Sequence, residues 1–80
     1  MANYKPLTAA GVPVRLAEEL AEQIEAGIGR RRRLEELGIV PMAAKEIVAQ
    51  ITSGTSNRRR LVAYGIVPEQ AKVIAEMIDA

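Results

Sequence analysis

The chain has 80 residues, with 11 Lys plus Arg against 10 Asp plus Glu, and contains neither His nor Cys. This length encloses one small domain, and the missing imidazole and thiol exclude a Cys/His zinc site, a Ser-His or Cys-His nucleophile pair, a haem ligand set and a disulfide framework. Paired-acid chemistry has little to draw on, since Asp79 is the only Asp, and the two aromatics, Tyr4 and Tyr64, are too few for a base-stacking platform. No catalytic, cofactor-binding or metal-ligating residue is assigned, and the chain reads as non-enzymatic. The longest apolar or Gly/Pro stretch, residues 38–44, falls far short of the roughly 20 needed to span a bilayer, so membrane insertion is not expected. Lys5, Pro6, Gly11, Pro13 and Arg15 break up any signal-peptide apolar region. A cytosolic or intracellularly assembled protein is expected.

Sliding the sequence on itself reveals a 27-residue repeat: Gly11, Gly38 and Gly65 coincide, as do Leu7, Leu34 and Leu61. Val12, Ile39 and Ile66 align without gaps, followed by Ala17, Ala44 and Ala71, by Leu20, Ile47 and Ile74, and by Ile24, Ile51 and Ile78. Three units, 1–27, 28–54 and 55–80, account for the chain as a single domain. The second and third share 12 of 26 aligned residues, including all of Gly-Ile-Val-Pro.

The first unit carries its proline one position earlier, in Gly11-Val12-Pro13-Val14, and its second helix is marked by Ala17, Leu20, Ala21 and Ile24. In the second unit, residues 30–37 form a short helix with Leu34 and Leu37 on one face. Gly38 supplies the left-handed residue that ends it, Ile39 packs back, and Pro41 opens a helix over 41–52, where its missing N–H has no partner to lose. Ala44, Ile47, Val48 and Ile51 fall at i, i+3, i+4 and i+7, one apolar stripe. Residues 53–57, Ser-Gly-Thr-Ser-Asn, form a joint with Asn57 as N-cap of the next short helix. The third unit repeats the stripe in Ala71, Ile74, Ala75 and Ile78. The expectation is an all-α fold of three tandem helix-turn-helix hairpins. Helices of this length need tertiary packing, and the pattern is compatible with both a short solenoid and a closed pseudo-threefold bundle.

The conspicuous polar feature is a pair of repeat-aligned arginine runs, Arg30, Arg31, Arg32 and Arg33, then Arg58, Arg59 and Arg60. Each opens a short helix, where cations oppose the macrodipole by roughly 0.3 to 1 kcal/mol apiece. One reading is contact with a phosphate backbone or an acidic protein surface, to which guanidinium geometry is suited. The other is internal pairing, because the first unit carries net −2 and the others +2 and +1. The helix bearing Glu18, Glu19, Glu22 and Glu25 is then the natural counterion.

Leu34-x-x-Leu37-Gly38-Ile39-Val40-Pro41-x-x-Ala44-x-x-Ile47 resembles the helix-hairpin-helix motif of DNA-binding proteins. That resemblance implies hairpin N–H groups directed at a phosphate, but Val40 and Val67 stand where the motif has its second Gly, and Pro41 and Pro68 have no N–H. Met42 and Glu69, just inside the second helix, supply no cation. A second resemblance covers the whole chain. Units built as Leu-x-x-x-Gly-Ile-Val-Pro-x-x-Ala-Lys-x-Ile, carried by Leu34, Gly38, Ile39, Val40, Pro41, Ala44, Lys45, Ile47 and their counterparts from Leu61 to Ile78, are similar to short helical repeats of tailed-bacteriophage virion proteins, particularly head-fibre and capsid-associated ones. The resemblance implies a non-enzymatic capsid-associated part, with no cofactor, located in the virion and assembled in the bacterial host cytoplasm. Its partner would be the major capsid protein or another virion protein. No β-rich fibre segment follows the repeats, which favours a small decoration or anchoring protein. The candidate partner-binding residues are the seven arginines together with Ile39, Val40, Ile66 and Val67. A homo-oligomer is compatible with this reading, and a small DNA-binding protein of the helix-hairpin-helix type is the alternative.

Overall fold

A computed structural model describes residues 2–80; Met1, the first residue of unit 1–27, lies outside them. Six helices follow in order: α1 (Lys5–Ala9), α2 (Val14–Ala26), α3 (Arg31–Glu36), α4 (Pro41–Ser53), α5 (Arg58–Ala63) and α6 (Pro68–Asp79). The all-α expectation holds, and the three hairpins α1–α2, α3–α4 and α5–α6 are the three repeats.

The hairpin turns follow the glycine reading. Gly11, Gly38 and Gly65 adopt φ of 96°, 108° and 104°, a region that a Cβ makes costly. The next residue then donates back across the turn: the N–H groups of Val12, Ile39 and Ile66 reach the carbonyls of Leu7, Leu34 and Leu61, each at 3.0 Å. This closes the short helix by satisfying a carbonyl that its end would otherwise leave bare. Val40 and Val67 are the N-caps of α4 and α6, with φ −64° and −56°, and Pro41 and Pro68 take the first helical position. Pro13 is instead the N-cap of α2, at φ −55°. That value lies within the range the pyrrolidine ring imposes, so the displaced proline of the first unit fits the same turn.

Six large side chains are almost completely buried: Leu7, Leu34 and Leu61 from the short helices, and Leu20, Ile47 and Ile74 from the long ones. They occupy two repeat positions, three times each. Ala17, Ala44 and Ala71 have no exposure and let the long helices approach the centre. Each hairpin alone would leave its stripe in water, and the three stripes bury one another.

The hairpins close on themselves. Each long helix packs on the short helix of the next unit, α2 on α3 and α4 on α5, and α6 packs on α1 to complete the ring. In a solenoid each unit touches only its neighbours; here the first and third meet, and the extents are 27 × 23 × 22 Å with a radius of gyration of 10.6 Å. The pseudo-threefold bundle is therefore the observed arrangement. Gln70 Nε2 also donates to the Ala10 carbonyl at 3.4 Å, tying the start of α6 to the end of α1. At the first joint Gly29 lies against α4 so closely that a Cβ there would sit 2.9 Å from Val48 Cα. The repeat counterparts are Ser56 and Ala75: where the linker residue has a side chain, the helix residue at the equivalent position is smaller.

Candidate functional site

The joints carry polar clasps and the turns a largely apolar cleft. The short helices run from the joints to the turns, so the joints lie at one end and the turns at the other. Each covalent joint is clasped by one glutamine. Gln23, 3% exposed, accepts from the Arg30 N–H at 2.9 Å, donates to the Arg30 carbonyl at 3.2 Å, and donates to Glu19 Oε2 at 2.9 Å. Glu19 in turn accepts from Arg33 at 3.1 Å. The second joint repeats the arrangement: Gln50 pairs with both backbone groups of Asn57 at 2.9 and 3.0 Å and with Glu46 at 2.9 Å, and Glu46 accepts from Arg60 at 3.0 Å. Asn57, the expected N-cap, accepts from the Arg60 N–H through its side chain. No buried side-chain N or O atom among the described residues lacks a partner.

These contacts set the charges. The hydrogen bond from Gln23 is the main cause holding the Glu19 carboxyl below its usual value, with burial opposing and Arg33 assisting. The Arg60 hydrogen bond does the same for Glu46, again against burial and with help from Gln50. Arg60 also lies over the Tyr64 ring, 5.6 Å from its centroid.

The arginine runs thus divide. Arg33 and Arg60 fasten joints, and Arg31 pairs with Glu35 at 2.8 Å along α3. Arg30, Arg32, Arg58 and Arg59 are exposed and form no ion pair among the described residues. Among the described residues Glu19 is the one glutamate of α2 that meets an arginine; Glu18, Glu22 and Glu25 are exposed and form no ion pair among them.

At the opposite end the three turns meet around an open cleft lined by Pro13, Leu16, Val40, Ala43, Val67 and Gln70, among others. Leu16, Ala43 and Gln70 are one repeat position and Pro13, Val40 and Val67 another, so the cleft lies on the pseudo-threefold axis. The four aliphatics expected here behave in two ways. Val40 and Val67 are 56% and 52% exposed, whereas Ile66 is buried at 8% and Ile39 packs against the core. The isoleucines follow the left-handed glycine and turn inward over the helix just ended; the valines, one residue on, point out. Val14 and Met42, not among the expected partner contacts, are as exposed as the valines. The Gly38 and Gly65 N–H groups donate to Glu35 and Val62 carbonyls and those of Ile39 and Ile66 to Leu34 and Leu61. Each hairpin thus keeps two of its amides for its own helix end.

The clasp residues Glu19, Gln23, Glu46 and Gln50 escape a reading that treats Glu and Gln as solvated face. Their signal is in the register: Glu and Gln recur at the same two positions in the first two units, 14 and 10 residues before Arg33 and Arg60. The third unit replaces them with Val73 and Met77 where α6 meets α1 and Pro6 stands in place of the arginine. No helix among the described residues is long and apolar enough to cross a membrane, and no cluster of three or more potential metal-ligating residues occurs among them. No family model matches the chain, and neither a curated protein nor a solved structure matches it.

Proposed function

We propose that the chain is a non-enzymatic docking module that attaches to a larger protein assembly by its hairpin-turn end, and that this assembly is the capsid of a tailed bacteriophage. It would act there as a decoration or head-fibre anchoring protein, assembled in the bacterial host cytoplasm and carried in the virion. The observation that supports the reading is the grouping of Val14, Val40, Met42 and Val67, each more than half exposed, at the end where all three turns meet. Val40 and Val67 line the cleft itself, and exposed apolar side chains gathered at one end mark a protein contact more often than a phosphate contact. The phage assignment rests on the resemblance of the repeat units.

The alternative is duplex DNA binding through the unpaired arginines. It is disfavoured by the amides each hairpin keeps for its own helix end and by Pro41 and Pro68 at the helix starts. Co-sedimentation with particles from the source, beside duplex titration at several salt concentrations, separates the two. The docking reading expects particle occupancy that falls at least tenfold in the Val40→Glu/Val67→Glu variant, and duplex binding no tighter than about 10⁻⁴ M at physiological salt. Absence from particles together with submicromolar duplex binding would establish the alternative. Replacing the four arginines Arg30, Arg31, Arg32 and Arg33 by Gln would then lower the slope of log affinity against log salt by about 0.9 for each phosphate no longer neutralised.

A further inference from the structure

The three units are equivalent in fold and unequal in charge, and the inequality lies on surfaces that folding leaves free. On α2, Glu18, Glu22 and Glu25 form an outward stripe at i, i+4 and i+7. The corresponding positions of α4 hold Lys45, Ala49 and Thr52 and those of α6 Lys72, Glu76 and Asp79, so α2 alone carries acid at all three. The stripe is unfavourable to its own helix: like charges four apart repel, and Glu22 and Glu25 lie toward the C-terminal end, where the helix dipole is already negative. The inverse holds on α5. Arg58 and Arg59 stand in its first turn, exposed and without an ion pair among the described residues. The equivalent run on α3 is offset by Glu35 and Glu36, whereas α5 carries Val62 and Ala63 at those places. The two surfaces are set on different sides of the ring, α2 packing on α1, α3 and α6 and α5 on α4 and α6. No ion pair joins them within one copy among the described residues.

We propose that the occupant of the α2 acidic stripe is the α5 arginine pair of a second copy of this chain. Each copy then offers one acidic and one basic surface. The contact is heterologous, and it continues head to tail from copy to copy as a ring or a filament. It relieves two local conflicts at once, carboxylates at the negative end of α2 and cations at the positive end of α5. It uses none of the exposed apolar residues of the turns, so its test needs no docking partner.

Sedimentation of the intact protein alone provides the test. At about 0.01 M ionic strength, where the Debye length is about 30 Å, the weight-average mass should rise at least twofold above the 8.7 kDa of one copy. At about 1 M, where that length is about 3 Å, it should return to one copy. The α2 variant Glu18→Lys/Glu22→Lys/Glu25→Lys and the α5 variant Arg58→Glu/Arg59→Glu should each remain single at low salt, with helical circular dichroism unchanged. The thermal midpoint of the α5 variant should be no lower than the parent's, because acid in the first turn suits the helix dipole; on α2 the same holds for Glu22→Lys and Glu25→Lys, toward the C-terminal end. An equimolar mixture of the two should regain the low-salt assembly. A parent chain that stays single at millimolar concentration and low salt would overturn the proposal. So would variants that assemble as well as the parent, or a mixture that does not assemble.

Discussion

The joint clasp offers a perturbation that nearly preserves shape. Gln50→Met keeps the volume and the unbranched reach of the side chain, so the cavity term is small. It removes three hydrogen bonds, two to the Asn57 backbone and one to Glu46. At about 1 kcal/mol net for each bond, the ceiling is roughly 3 kcal/mol before any orphaned group is counted. Two of the three partners keep other bonds: Glu46 retains Arg60 at 3.0 Å, and the Asn57 carbonyl still accepts from the Leu61 N–H at 3.3 Å. Only the Asn57 N–H loses its single protein acceptor. The expected cost is therefore about 2 to 3 kcal/mol, which for a domain of this size lowers the thermal midpoint by roughly 10 to 20 °C. Gln23→Met, with the same geometry at the first joint, should cost the same, and the double variant should show the sum, because the two clasps share no partner. Urea unfolding followed by circular dichroism measures all three. A change within about 0.5 kcal/mol for Gln50→Met would show that the clasp is a by-product of the packing and does not hold the joint.

The turn glycines and the buried carboxylates make separate predictions. Gly65→Ala should destabilise by about 1 to 2 kcal/mol; an added Cβ meets nothing within 4 Å, so the cost is the φ of 104° alone, and a neutral result in urea unfolding would contradict that backbone conformation. Glu19 and Glu46 are held below their usual value of 4.5, so their contribution is complete above that value and is lost as pH falls through the lowered one. The urea midpoint should be level above about pH 5.5 and fall below about pH 4.5, and Glu46→Gln should flatten that fall; an equally steep acid loss in the variant would place the titrating groups elsewhere.

What the sequence made legible was whatever repeats at fixed spacing through the backbone. Leu34 and Leu61, Gly38 and Gly65, and the stripe from Ala44 to Ile51 each follow from local rules: helical period, left-handed caps, proline at a helix start. These rules act within a few residues and need no knowledge of the neighbour. Closure of the ring was not legible, because Ala17, Ala44 and Ala71 say that helices approach closely but not at what angle one hairpin meets the next. The clasp was hidden for a related reason. Gln23 and Gln50 are polar residues whose partners are backbone atoms seven positions on, Arg30 and Asn57, and polarity alone assigns such residues to solvent. Ile39 and Val40 show the finest limit. Adjacent aliphatics in one turn look alike in sequence, yet the cap geometry sends the first inward and the second out.

Repeat symmetry also divides the arginines by what explains them. A cation in the first turn of a helix is placed against the dipole; Arg33 and Arg60 stand in the last turns of their short helices, and each meets a carboxylate from the preceding long helix. Where α6 meets α1, the preceding helix offers Val73 in place of that glutamate, and Pro6 replaces the arginine. Arginine and glutamate are thus present or absent together, as expected of residues that belong to the joint. No such pairing accounts for Arg58 and Arg59. They stand in the first turn of α5, against the dipole, and the neighbouring Val62 and Ala63 supply no charge. A fold that neutralises one arginine of a run and leaves two adjacent ones bare is what the proposed contact with a second copy requires. The stripe of Glu18, Glu22 and Glu25 on the first unit, without an ion pair among the described residues, has the opposite charge.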